Sequence, residues 1–143
     1  MNLLHNNTLG IDIGSTTVKI AVLDSEQHIL FTDYERHYAN IQETLALLLS
    51  RAKEKLGEMT VSPSITGSGG LTLSGHLNVP FTQEVVAVAT ALQDYAPQTD
   101  VAIELGGEDA KIIYFTGGID QRMNGICAGG TGSFIDQMAS LLQ

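Results

Sequence analysis

Two stretches of this chain are built to one plan: an apolar strand with an acid near its end, a glycine-centred turn, then a second apolar strand carrying a lysine. The first is Gly10-Ile-Asp-Ile-Gly-Ser-Thr-Thr-Val-Lys-Ile-Ala-Val-Leu-Asp24 and the second is Val101-Ala-Ile-Glu-Leu-Gly-Gly-Glu-Asp-Ala-Lys-Ile-Ile-Tyr-Phe115. Glu104 parallels Asp12, Gly106 parallels Gly14, and Lys111 parallels Lys19. Apolar runs on both sides of a short glycine turn read as hairpins. Backbone N–H groups of such a turn cradle phosphate oxygens, while a nearby carboxylate holds hydrated magnesium. The plainer reading is a pair of ordinary hairpins whose Gly and Thr residues serve the turns. The first segment is not a P-loop, because it lacks the Gly-Lys-Ser spacing and leads into a strand. Two such hairpins, roughly ninety residues apart, suggest two lobes that offer turns to one nucleotide from opposite sides.

Around them the pattern alternates strand and helix. Strands are expected over Leu9–Ile13, Val18–Leu23 and Ile29–Tyr34, a three-stranded meander. Asn40, with Glu43 three residues on, has the form of a capping box. The helix behind it places Ile41, Leu45, Leu48, Ala52 and Leu56 on one face and ends at Gly57. A short strand over Ser64–Thr66 runs into Thr66-Gly-Ser-Gly-Gly70, which has the composition of a phosphate nest and equally that of a plain strand-to-helix turn. A further helix, from about Gln83 to Tyr95, buries Val85, Ala89 and Leu92. Pro97–Asp100 is the expected passage between lobes, giving a first lobe over residues 1–97 and the start of a second over 98–143. The fold class is α/β, a mixed sheet with helices on its faces.

The segment Met123-Asn-Gly-Ile-Cys-Ala-Gly-Gly-Thr-Gly-Ser-Phe-Ile-Asp136 holds the only cysteine, Cys127, just before a helix expected over Ser133–Leu142. Unpaired amides at a helix start favour a nearby sulfur as thiolate, the form that binds metal or attacks an electrophile. The competing reading is a buried structural cysteine, against which stand the glycines at 125, 129, 130 and 132. The histidines at 5, 28, 37 and 76 are scattered, so a Cys–His pair would require tertiary contact. A formal net charge of −9 argues against nucleic acid or an anionic membrane as partner. One cysteine forms no disulfide framework, which fits a reducing cytoplasm. The first residues have no signal-peptide pattern, and no apolar run approaches the ~20 residues that span a bilayer.

Taken together, Gly10 to Lys19, Thr66 to Gly69, Glu104 to Lys111 and Met123 to Asp136 resemble the ATP-dependent activators of 2-hydroxyacyl-CoA dehydratases. That family includes ATPase subunits of benzoyl-CoA reductases and sits in the superfamily of sugar and acetate kinases, actin and the seventy-kilodalton heat-shock chaperones. Arg122-Met-Asn-Gly and Ile103-Glu-Leu-Gly-Gly-Glu-Asp-Ala-Lys look most like the long fused relatives. Stand-alone activators usually have Asp in place of Glu104 and Gln in place of Glu108, and an added carboxylate near a triphosphate calls for magnesium to offset it.

The resemblance implies a ribonuclease-H-like lobe and an ATPase that couples hydrolysis to electron transfer. It implies catalytic roles for Asp12 and Glu104, with Asp12 also organising magnesium through water. Gly14, Ser15, Thr16, Thr17, Lys19, Gly106 and Gly107 would bind the nucleotide phosphates. Cys127 would be one ligand of a [4Fe-4S] cluster shared between subunits, either a homodimer or paired activator domains. The partner would be a 2-hydroxyacyl-CoA dehydratase or similar CoA-thioester enzyme. Because the superfamily's adenosine-binding part and the family's second cluster cysteine lie downstream, the chain is expected to be an N-terminal piece, inactive and cofactor-free alone. Two rivals share the hairpins: a sugar or acyl kinase, and a non-catalytic nucleotide-binding assembly domain.

Overall fold

The computed structural model of the chain describes residues 7–124 and 130–142. It contains two compact units, Met1–Thr82 and Gln83–Gln143. The expected division at residues 97–98 therefore falls inside the second unit. The reason is local: Glu84, at the start of the helix Glu84–Tyr95, is paired with Lys111 of the second hairpin. Pro97–Asp100 forms only the turn between that helix and the next strand, pinned by Phe115 N–H donating to the Asp100 carbonyl (2.9 Å).

The first unit is a four-stranded sheet of β1 (Asn7–Ile13), β2 (Thr17–Leu23), β3 (Ile29–Arg36) and β4 (Val61–Thr66), in the order β3-β2-β1-β4. The three meander strands are antiparallel, whereas β4 runs parallel to β1. A parallel neighbour needs a crossover, and α1 (Ile41–Leu56) supplies it. Alternation decides which face is buried. Leu9, Ile11 and Ile13 of β1 and Val18, Ile20 and Val22 of β2 point into one core with Leu45, Leu48 and Ala52 of α1 and Ile65 of β4. Gly10, Asp12 and Lys19, at the intervening positions, lie outside it. Pro63 is tolerated because β4 lies at the sheet edge, where a missing N–H breaks no inner ladder.

The expected capping box does not form. Asn40 makes no side-chain cap bond, and its φ of −99° and ψ of 60° depart from the extended backbone that aims such a side chain at the first turn. It follows Tyr38 and Ala39, both at positive φ (44° and 69°), and its N–H donates to the His37 carbonyl (2.6 Å). The other end behaves as expected, with Gly57 at φ 78° closing α1 through a bond to the Lys53 carbonyl. After β4 comes α2 (Gly70–Leu77), stopped by Asn78 in the left-handed conformation.

The second unit opens with α3 (Glu84–Tyr95). The hairpin β5 (Val101–Leu105) and β6 (Ala110–Tyr114) is extended by β7 (Asp120–Met123), and α4 (Gly132–Leu141) follows. Ala89 is buried in α3, while Val85 and Leu92 are half-buried. On β6, Lys111 and Ile113 face inward. No described helix is long and apolar enough to cross a membrane.

Candidate functional site

The hairpin parallel read from the sequence is exact in register. Asp12 lies opposite Lys19 across β1 and β2, and Glu104 lies opposite Lys111 across β5 and β6. The turns close alike: Gly14 N–H donates to the Thr17 carbonyl and Gly106 N–H to the Asp109 carbonyl, both at 2.9 Å.

In the first unit, Lys19 Nζ donates to Asp12 Oδ2 at 2.8 Å, with the two side chains 50% and 33% exposed. Ser15 is exposed, and Gly14, Thr16 and Thr17 are half-buried. The loop after β4 comes up against Ile13 and Asp12. Gly69 N–H donates to the Ile13 carbonyl (2.9 Å). A Cβ on Gly67 would stand 2.3 Å from the Ile13 oxygen and 2.5 Å from Asp12 Oδ1, a space only glycine leaves open. Thr66-Gly-Ser-Gly-Gly70 thus borders the acid rather than merely linking β4 to α2.

His37, which sequence reasoning passed over, fastens the same turn. Its N–H donates to the Thr16 carbonyl (3.1 Å), its Nδ1 accepts the Ala39 N–H (3.0 Å), and its Nε2–H donates to the Gly14 carbonyl (3.2 Å). With one ring nitrogen accepting and the other donating, the imidazole in this arrangement is neutral.

In the second unit the lysine is deep rather than exposed. The Lys111 side chain is 8% exposed and meets Glu84 at 2.5 Å, Asp109 at 3.3 Å and Glu104 at 3.5 Å. Burial alone would lower its pKa. The bond that Lys111 donates to Glu84 and the charges of Glu104, Glu84 and Asp109 more than reverse this and hold the ammonium above the ordinary lysine value. Burial pushes the Glu104 carboxyl up, against the pull of Lys111 and with added repulsion from Glu84 and Asp109. Glu84 was not among the residues singled out in the sequence, where it reads as a first-turn acid of α3; only its contact with Lys111 brings it to the site.

The loop into α4 is bound to this turn. Gly132 N–H donates to the Gly106 carbonyl (2.9 Å) and Ser133 N–H to the Gly107 carbonyl (3.0 Å). Phe134 and Ile135 N–H both donate to Thr131. The hydroxyls of Thr131 and Ser133 add bonds to Gly107 at 3.1 and 2.5 Å. The amides of this helix start, expected to be open to a sulfur, are therefore taken by carbonyls. Cys127 itself lies outside the described residues, and among those residues no group of three His, Cys, Asp or Glu is arranged to hold a metal ion.

Among the described residues, two buried side-chain oxygens have no hydrogen-bond partner: Thr66 Oγ1 and Glu104 Oε2. Buried polar atoms are rarely left so, and these sit one at each hairpin, Thr66 directly opposite Asp12 in the β1–β4 register. A half-exposed carboxylate and ammonium beside a glycine turn, with an unanswered hydroxyl next to them, suit a phosphate chain and its magnesium ion.

The mixed α/β architecture is a fold of the actin-like ATPase type. More narrowly, the chain belongs to the BadF/BadG/BcrA/BcrD ATPase family, whose model matches residues 9–143. It is 30% identical over 141 residues to the (R)-2-hydroxyglutaryl-CoA dehydratase activating ATPase of Acidaminococcus fermentans, covering 95% of this chain and 54% of that one. Among solved structures it resembles component A of the (R)-2-hydroxyglutaryl-CoA dehydratase of the same organism, with TM-score 0.82, 29% identity and coverage of 96% and 54%. It also resembles the 2-hydroxyisocaproyl-CoA dehydratase activator of Clostridium difficile with bound ADPNP, with TM-score 0.79, 26% identity and coverage of 95% and 52%. The chain spans about half the length of these relatives.

Proposed function

We propose that this chain is the phosphate-handling part of an ATP-hydrolysing activator that delivers a low-potential electron to a 2-hydroxyacyl-CoA dehydratase or a related CoA-thioester reductase. The observation carrying this reading is the pair of register-matched acid–lysine hairpins, each with a buried oxygen awaiting a partner. The names of the similar activators and the ADPNP bound to one of them support it.

In this reading Asp12 holds the water shell of magnesium, and the turn Gly14 to Thr17 grips phosphate with its amides and hydroxyls. Lys19 leaves Asp12 to neutralise phosphate charge, a surface pairing that costs only ~0–1 kcal/mol to break. The turn at Gly106 and Gly107 contributes further phosphate contacts. Glu104, whose carboxyl burial pushes above the ordinary glutamate value, is suited to proton movement at the attacked phosphate. Cys127 is one ligand of an iron–sulfur cluster shared by two activator domains in a reducing cytoplasm. Such a cluster supplies one-electron chemistry whose potential depends on exposure and hydrogen bonding.

The test is anaerobic purification of the full-length protein and two variants, recording iron content, visible spectrum and ATP hydrolysis. Asp12→Asn preserves size and removes charge, so hydrolysis should fall by at least about 100-fold with the fold intact. Cys127→Ser should lose iron and colour while retaining ATP binding. A Cys127→Ser protein that stays brown removes the cluster assignment, and undiminished hydrolysis in Asp12→Asn removes the nucleotide role of the first hairpin.

A further inference from the structure

The two hairpins share register and turn closure, yet they treat their lysines in opposite ways. Lys19 has one carboxylate partner, Asp12, and is half-exposed. Lys111 is almost fully enclosed and has three carboxylates within 3.5 Å, drawn from separate places: Glu84 from the start of α3, Glu104 from β5 and Asp109 from the turn. We propose that Lys111 is a positioning residue, a fixed counter-ion that gathers these three carboxylates at the base of the second turn and makes no phosphate contact of its own. The proposal deepens the ATPase reading above and rests on it.

The argument concerns what each ammonium would leave behind. For Lys19 to reach a phosphate, one exposed ion pair opens and water takes over both partners, a near-neutral exchange. For Lys111 to do so, three carboxylates lose the positive charge they share. Glu104 Oε2, already buried without a hydrogen-bond partner, would then face Glu84 and Asp109 with nothing to offset them. Removing one member of a buried charge group is costly because the remaining charges stay behind. The ammonium is therefore bound to its place, and what it governs is the charge and direction of Glu104 and Glu84. The groups facing Glu104 are Lys111 on β6, Glu84 on α3 and Asp109 in the turn. Loss of Lys111 removes the attractive member and leaves the repulsive pair, so Glu104 must hold its proton to higher pH.

The experiment compares Lys19→Met, Lys111→Met and Lys111→Arg in the full-length protein, measuring the ATP dissociation constant and the pH profile of hydrolysis. Alongside it, the Glu104 carboxyl is titrated by carbon-13 NMR in the 143-residue chain and its Lys111 variants. Lys19→Met should weaken ATP about tenfold or more, the scale of losing a charged phosphate contact, and leave the pH profile in place. Lys111→Met should move the Glu104 titration and the acid limb of the profile upward by about one unit or more. Its effect on ATP affinity should be smaller than that of Lys19→Met, and Lys111→Arg should restore the profile. If Lys111→Met weakens ATP as Lys19→Met does and leaves the Glu104 titration where it was, the proposal is wrong. Should Lys111→Met fail to fold, Lys111→Gln, which keeps a donor and removes the charge, still decides: an unmoved Glu104 titration in that variant overturns the arrangement. A full-length protein that hydrolyses no ATP would sink the ATPase reading, while the Glu104 titration would still judge the role of Lys111.

Discussion

At the scale of single residues, alternation puts Asp12 and Lys19 on the side of the first hairpin away from its core, whereas Glu104 and Lys111 lie on the inward side of the second, between exposed apolar neighbours. Asp12 and Lys19 both fall between buried neighbours, so their meeting follows from period two and a tight turn. His37 was illegible, since its bond to Gly14 spans 23 residues and no local pattern announces it. Its role can be measured. His37→Ala leaves the Gly14 carbonyl and the Ala39 N–H without their partner in a part-buried place, so urea denaturation of the 143-residue chain should show a loss of about 1–3 kcal/mol. His37→Gln retains a donor that can reach Gly14 and should recover part of that loss. Equal destabilisation by Ala and Gln would locate the effect in packing rather than in the hydrogen bond. Lys111 illustrates a different limit. Its place opposite Glu104 was foreseeable, whereas its enclosure by Glu84 depends on how α3 packs against the sheet.

Among elements, β1 to β3, α1, α3 and the β5–β6 hairpin were readable from apolar period and turn residues. β7 was not, because Asp120-Gln-Arg-Met123 is exposed throughout and carries no alternation. The loop from Thr66 to Gly70 was read as either nest or plain turn, and its contact with Asp12 decides in favour of something more exacting than a connector. Gly67 and Gly57 make a controlled comparison. Both have positive φ, 95° and 78°, but a Cβ on Gly57 meets nothing within 4 Å, while one on Gly67 meets Ile13 and Asp12. Gly57→Ala should cost about 1–3 kcal/mol from backbone conformation alone, because φ 78° with ψ −167° is a region essentially confined to glycine. Gly67→Ala should cost clearly more and should also disturb the Asp12–Lys19 pair, visible in chemical shifts at both residues. Equal losses in thermal unfolding would mean that the loop yields freely and does not press on the acid.

For the whole molecule, the contrast is between a first unit with a continuous core and a second that leaves Val101, Ile103 and Leu105 exposed along one face of its hairpin. The chain spans about half of its relatives, so the contacts that distinguish ATP from bare phosphate belong largely to the remainder in our reading. The 143-residue chain should therefore bind ATP only in the millimolar range, an affinity of about −4 kcal/mol. Calorimetry giving a micromolar constant would place the adenosine contacts within these residues.

The second turn also has a kinematic consequence. Asn124 exchanges bonds with Ala110 through both its backbone and its side chain, and Thr131, Gly132 and Ser133 hold Gly106 and Gly107. Both boundaries of the interval 125–129 are thus hinged to one hairpin. Any displacement of the Gly106–Ala110 turn is therefore felt at Asn124 and at Thr131 to Ser133 alike.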